Sequence, residues 1–156
     1  MLTFPQFDPV ALAIGPISIH WYGIMYMIAF GGAWGLASIR AKQQPGEWTA
    51  EQISDLVFYG ALGAVLGGRM GSVLFYNFDR FLSDPIWLLR VWEGGMSFHG
   101  GLLGVIISVF FYSKKTNTNF FKYADIISCV APIGIFLGRI TNFINSELYG
   151  KISTLP

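Results

Sequence analysis

Residues 9 to 39 contain no Asp, Glu, Lys or Arg. A charge-free run of that length more than meets the roughly 20 apolar residues that a helix needs to cross a bilayer. From Ile17 to Ile39 alone, a helix would extend roughly 34 Å at about 1.5 Å per residue. No basic segment precedes the run and no small-residue cleavage site ends it, so it reads as a retained span rather than a removable leader. The composition agrees: 53% of the 156 residues are hydrophobic, 17% aromatic and 12% charged, where a soluble domain carries about 25% charged residues. The 19 glycines fall mostly inside apolar stretches, as they do where helices approach closely in lipid.

The same arithmetic excludes other classes. A net charge of +1 with no basic stripe leaves nothing to hold a nucleic-acid backbone. Cys129 is the single cysteine and has no internal disulfide partner, while the two histidines are far apart and offer no metal-ligand spacing. Neither a metal nor a cofactor is expected.

The pattern predicts one all-α transmembrane domain over residues 1–156, a polytopic membrane helix bundle with spans at about 17–39, 53–78, 97–113 and 124–145. The stretch 79–96 is no plain linker. Its core, FLSDPIWLLRVW, mixes aromatic and leucine residues with Asp84 and Arg90, which suits a segment lying among lipid headgroups; an ordinary packed loop is the plainer alternative. Arg40, Lys42, Lys114, Lys115 and Lys122 fall in the first and third connections, against Arg80 and Arg90 in the second. Because cytoplasmic loops carry the Lys/Arg excess, the amino terminus is expected outside.

Arg69 and Arg139 lie within apolar spans, where an unpaired arginine costs roughly 2.5 to 3.5 kcal/mol at the helix centre. Since successive spans alternate direction, these late residues of the second and fourth spans share a level with the early residues His20, Tyr22 and His99. Asn142, Asn145 and Glu147 come to the same level, and Arg139, Asn142 and Asn145 recur every third residue on one helix face. Two guanidiniums suggest an anion such as a phosphate, whose oxygens match their fork of donors; snorkelling or internal pairing would also account for them. His99, set in MSFHGGLLG, is the side chain able to exchange a proton near neutral pH, and a merely hydrogen-bonded role is its alternative. The glycines around it suggest an irregular helix entry, while Gly67, Gly68 and Gly71 around Arg69 equally suit close helix packing. His20 beside Trp21 suits an interfacial aromatic belt, and Cys129 a packing role.

The segment GRITNFINSELYG, from Gly138 to Gly150, closely resembles the signature of the prolipoprotein diacylglyceryl transferase family. HWYGIMY (His20 to Tyr26), GGRMGSVLFYN (Gly67 to Asn77) and WEGGMSFHGGLLG (Trp92 to Gly104) are similar to its other segments, in the same order. Thr141 departs from the glycine or alanine usual there, and its branched side chain would narrow the site without removing a functional group. The resemblance implies transfer of the diacylglyceryl group of phosphatidylglycerol to the lipobox cysteine thiol of a preprolipoprotein, at the outer face of a bacterial cytoplasmic membrane. It implies His99 as the base, Arg139 as the group that stabilises the departing phosphate, and Arg69 as a weaker partner. Asn142 and Asn145 would orient the headgroup, Glu147 would hold an arginine or a headgroup hydroxyl, and Tyr22 would supply a hydroxyl. Gly100 and Gly150 would shape the backbone, and Cys129 would be dispensable.

The resemblance implies a protein of seven helices, of which this chain is expected to be the first part: either an inactive fragment of a longer gene product, or a natural truncation whose activity would need a separate chain. Two other readings compete: an anion transporter or channel module, which would need access from both leaflets, and a membrane module that binds anionic lipid without catalysis.

Overall fold

The computed structural model describes residues 7–15, 17–44, 46–90 and 93–147. Its elements are long helices with one small hairpin. Three of the helices are long and apolar enough to cross a membrane, Trp21–Lys42 (α1), Ala50–Tyr76 (α2) and Phe120–Ile144 (α5), so the architecture is that of an all-α membrane protein. The fourth long helix, Phe98–Lys115 (α4), is shorter at 18 residues and ends on Lys114 and Lys115, where positive charge complements the carbonyl end of the helix dipole. A short helix, Phe78–Ser83 (α3), and a 3₁₀ turn, Pro85–Leu89, lie between α2 and α4.

The chain divides into two compact units, one running from Ala37 to Ile127 and one made of the residues on either side of it. In the flanking unit, Val10–Ile14 (β1) pairs antiparallel with Ile17–His20 (β2), with Leu12 opposite Ile19 and Ala13 opposite Ser18. Residues 17–20 were expected to open the first span; they are strand. Branched side chains recur on both arms of the hairpin, and Gly15 at the turn adopts φ +59°, a left-handed conformation that costs glycine little. The Trp21 N–H donates to the Pro9 carbonyl at 3.1 Å, and the helix begins there.

In the central unit, α2 begins earlier than the apolar pattern suggests because Thr49 caps it. The Thr49 hydroxyl accepts from the Gln52 N–H at 3.1 Å, and the Gln52 side chain accepts from the Thr49 N–H at 3.0 Å, a reciprocal pair that satisfies two otherwise unpartnered donors. Along α2, Gly63, Gly67 and Gly71 recur every fourth residue and so share a face; Gly100 and Gly104 do the same on α4. The two faces meet backbone to backbone. A Cβ placed on Gly71 would stand 2.7 Å from the Gly100 Cα, and one on Gly67 would stand 2.7 Å from the Gly104 Cα. These glycines therefore serve close packing, the alternative the sequence left open.

Candidate active site

The central unit carries Arg69, His99 and Gly100. Arg69 is 2% exposed, and every donor of its guanidinium meets a carbonyl of the segment between α3 and α4. Nε donates to the Leu88 oxygen at 3.0 Å, Nη1 to the Gly94 oxygen and, at 3.3 Å, to that of Gly95, and Nη2 to the Trp87 oxygen and, at 3.0 Å, to that of Arg90. The guanidinium also lies 4.1 Å from the centroid of the buried Trp87 ring, a favourable cation–π placement. Sequence reasoning expected Arg69 to help hold a phosphate. The structure gives it five backbone acceptors and leaves no N–H over, because an arginine has five donors in all.

The irregular entry expected around His99 lies a few residues earlier. Gly94 and Gly95 adopt φ +81° and +79°, conformations that side-chain-bearing residues rarely take, whereas His99, Gly100 and Gly101 already belong to regular α4. Ser97 caps that helix, its hydroxyl accepting from the Gly100 N–H at 3.2 Å, and its own N–H donates to the Gly68 carbonyl at 2.8 Å. The His99 side chain is exposed and sits edge-on to Phe98, with ring centroids 5.7 Å apart. Gly100 is buried against Gly71, so backbone shaping there means the absence of a side chain between two helices.

Arg80 and Arg90 in the segment 79–96 are matched by acids: Arg80 to Glu93 at 2.7 Å, and Arg90 to Asp84 at 2.8 Å. Trp87 is buried beneath the segment while Leu82, Ile86 and Leu89 are exposed. The segment is thus two-sided, with apolar side chains exposed and ion pairs beside them.

The flanking unit carries Tyr22, Arg139, Asn142, Asn145 and Glu147. The Tyr22 hydroxyl donates to the Asn142 Oδ1 at 2.8 Å, joining the first turn of α1 to the last turns of α5 across 120 positions of sequence. Tyr26 stacks on Tyr22 at 5.8 Å. Both Glu147 and Arg139 lie within electrostatic range of the Tyr22 hydroxyl. After α5 the chain turns back on itself: Glu147 N–H donates to the Asn142 carbonyl at 2.8 Å, with Ser146 at φ +55°. Thr141 is fully buried, and its hydroxyl is spent on the Leu137 carbonyl at 3.0 Å, so its branched side chain packs inward. Asn145 keeps a buried Oδ1 with no hydrogen-bond partner among the described residues. The Arg139 side chain is exposed, with no hydrogen bond or ion pair among the described residues. Gly150 lies outside the described residues.

His20 ends β2 with an exposed side chain, and Cys129 is exposed on α5 rather than buried by packing. Among the described residues no group of three His, Cys, Asp or Glu side chains is placed to hold a metal ion.

The model of the prolipoprotein diacylglyceryl transferase family matches residues 9–156. Two similar proteins, from Acinetobacter baumannii strain SDF and Pseudomonas paraeruginosa strain PA7, are each named phosphatidylglycerol–prolipoprotein diacylglyceryl transferase. The first is 60% identical and the second 58% identical, in both cases over all 156 residues of this chain. The chain spans 57% of the length of the Acinetobacter protein and 59% of the Pseudomonas one. With a match over nearly its whole length, this chain belongs to the prolipoprotein diacylglyceryl transferase family.

Proposed function

We propose that the protein carrying these residues transfers the diacylglyceryl group of phosphatidylglycerol to a cysteine thiol in the lipobox of a preprolipoprotein. The observation that carries this reading lies at the end of α5, where the Tyr22 hydroxyl, bonded to Asn142, is within electrostatic range of both the exposed Arg139 and Glu147. That is an anion-binding group with hydroxyl and amide neighbours, the chemistry a glycerophosphate headgroup requires.

In the reaction, His99 takes the thiol proton, since a thiol with a reference pKa of about 8.5 is mostly protonated at neutral pH. The thiolate attacks the diacylglycerol carbon that bears the phosphate. A carbon–sulfur bond forms as the carbon–oxygen bond breaks, and glycerol phosphate leaves with both electrons of that bond. Charge gathers on the phosphate oxygens, where a preorganised guanidinium counts most; Arg139 supplies it. Asn142 and Asn145 orient the headgroup. Glu147 holds Arg139 or a second hydroxyl.

The same reading places four spans in a bacterial cytoplasmic membrane, α4 included, at about 27 Å for 18 residues. The amino terminus and the site face outward, and the arm 79–96 lies in the outer headgroup layer. Arg40 and Lys42 at the end of α1, and Lys114 and Lys115 at the end of α4, are the positive charges that favour the inner side.

A chimera tests the proposal: these 156 residues continued by the carboxyl-terminal part of the Acinetobacter relative, placed in phosphatidylglycerol vesicles with a cysteine-bearing lipobox peptide. The expected result is a peptide heavier by one diacylglyceryl group, stable to hydroxylamine as a thioether is. Lipid binding without a modified peptide would overturn transfer in favour of a lipid-binding module.

A further inference from the structure

We propose that Arg69 is a positioning residue, which fixes where the chain enters α4 and thereby sets the place of the His99 imidazole. The inference rests on the reading of His99 as the base.

A buried guanidinium is tolerated only when its donors are met, and here the acceptors are the carbonyls of Trp87, Leu88, Arg90, Gly94 and Gly95. Those oxygens converge because the chain bends around them through the 3₁₀ turn Pro85–Leu89 and the left-handed pair Gly94 and Gly95. No hydrogen-bonded strand or helix holds residues 94–97 themselves. The hold comes from α2 at two successive residues: Arg69 bonds the carbonyls of Gly94 and Gly95, and the Gly68 carbonyl accepts the Ser97 N–H at 2.8 Å. Ser97 is the helix cap, and His99 follows two residues later. The path from Arg69 to His99 is therefore a short run of chain pinned at both of its ends. The space around this pin is already taken, for a Cβ on Gly95 would stand 3.1 Å from Arg69 Nη1, 3.1 Å from Ser72 Oγ and 3.6 Å from the Trp87 ring. Lysine would keep the charge but could meet only three acceptors, and from a single point rather than a planar fork.

The test compares Arg69→Met, Arg69→Lys and Gly95→Ala with wild type in the full-length protein, in detergent micelles containing phosphatidylglycerol. A displaced imidazole lowers the rate of the chemical step, and misplacement by about 1 Å costs on the order of a hundredfold. All three variants are expected to lose about ten- to a hundredfold in kcat, with the KM for phosphatidylglycerol within about twofold of wild type. Hydrogen exchange should quicken at amides 84–98 and stay unchanged in the middle of α2 and α4. A large rise in KM, with Arg69→Lys near wild type, would overturn the proposal in favour of a phosphate ligand. Faster exchange with unaltered kcat would overturn it in favour of a brace with no bearing on His99. Should Arg69→Met fail to accumulate, Gly95→Ala decides, since it strains the same acceptors with the arginine intact. If wild-type protein forms no thioether, the transferase reading fails, and the exchange data still report whether Arg69 holds the entry to α4.

Discussion

Arg69 and Arg139, each set well inside a long helix, differ in where their acceptors come from. Arg69 is buried and surrounded by carbonyls of its own chain, one for each N–H. Arg139 is exposed and makes no hydrogen bond or ion pair among the described residues, while the Tyr22 hydroxyl within its electrostatic range is bonded to Asn142. A guanidinium whose donors are all met by the fold contributes to architecture, because a ligand could bind it only by breaking bonds already formed. One left open by the fold has its binding capacity in reserve. Both residues contribute the same charge to the sequence, and only the oxygen atoms around them tell the two uses apart.

A large effect is expected from this contrast at Arg139. In the full-length protein Arg139→Ala should reduce thioether formation by about 10²- to 10³-fold, the scale of removing one preorganised donor from a developing negative charge. Circular dichroism should be unchanged, since no described residue relies on Arg139 for a hydrogen bond. Turnover within a few-fold of wild type would erase the distinction between the two arginines. His99→Ala should fall in the range of about 10²- to 10⁴-fold associated with a lost general base. Its residual rate should rise toward high pH, where the peptide thiol ionises unaided; a flat profile would count against proton transfer to His99.

A smaller effect, on stability, concerns the helix pair that supports the Arg69 cluster. Gly67→Ala would put a methyl group 2.7 Å from the Gly104 Cα, closer than backbone atoms allow, so α2 and α4 must separate. Overpacking of this kind costs about 1–3 kcal/mol, to be read as a lowered unfolding temperature of the full-length protein in detergent. By contrast Gly60→Ala, where a Cβ would meet nothing within 4 Å, should leave that temperature unchanged or raise it. Equal effects at the two glycines would mean that the α2–α4 contact is not what holds this unit together.

Much of this architecture was legible from the residues. The helices could be placed because a span must be long, apolar and nearly free of charge, and such runs are visible one residue at a time. The hairpin at 10–20 was not, since its short β-branched strands continue into the apolar run of α1 and differ from it only in the turn at Gly15. Arg69, Gly94 and Gly95 stood out as unusual, but not for the use the structure makes of them. Backbone carbonyls are the acceptors there, and every residue carries one, so no letter of the sequence marks which will converge. The Tyr22–Asn142 bond was foreseen only as a shared depth, because alternation of helix direction gives the level of a residue and not its neighbour. The spacing of Arg139, Asn142 and Asn145 suggested a common helix face, but α5 ends at Ile144 and Asn145 lies in the turn that follows.

The smallest effect sharpens the contrast from the side of Arg139. Tyr22→Phe removes the hydroxyl that donates to Asn142 at 2.8 Å and keeps the ring that stacks on Tyr26. A single neutral hydrogen bond contributes about 0.5–1.5 kcal/mol net, so the direct loss of stability should be modest. If the hydroxyl only braces Asn142, kcat and KM should both move by that small amount. If instead Asn142 is held by Tyr22 so that its amide faces the headgroup, the loss should appear in KM for phosphatidylglycerol, and Asn142→Ala should add little on top of Tyr22→Phe, because residues that act as one unit are not additive. A double variant whose loss equals the sum of the singles would separate the two side chains. It would also confine the binding capacity of this cluster to Arg139 itself.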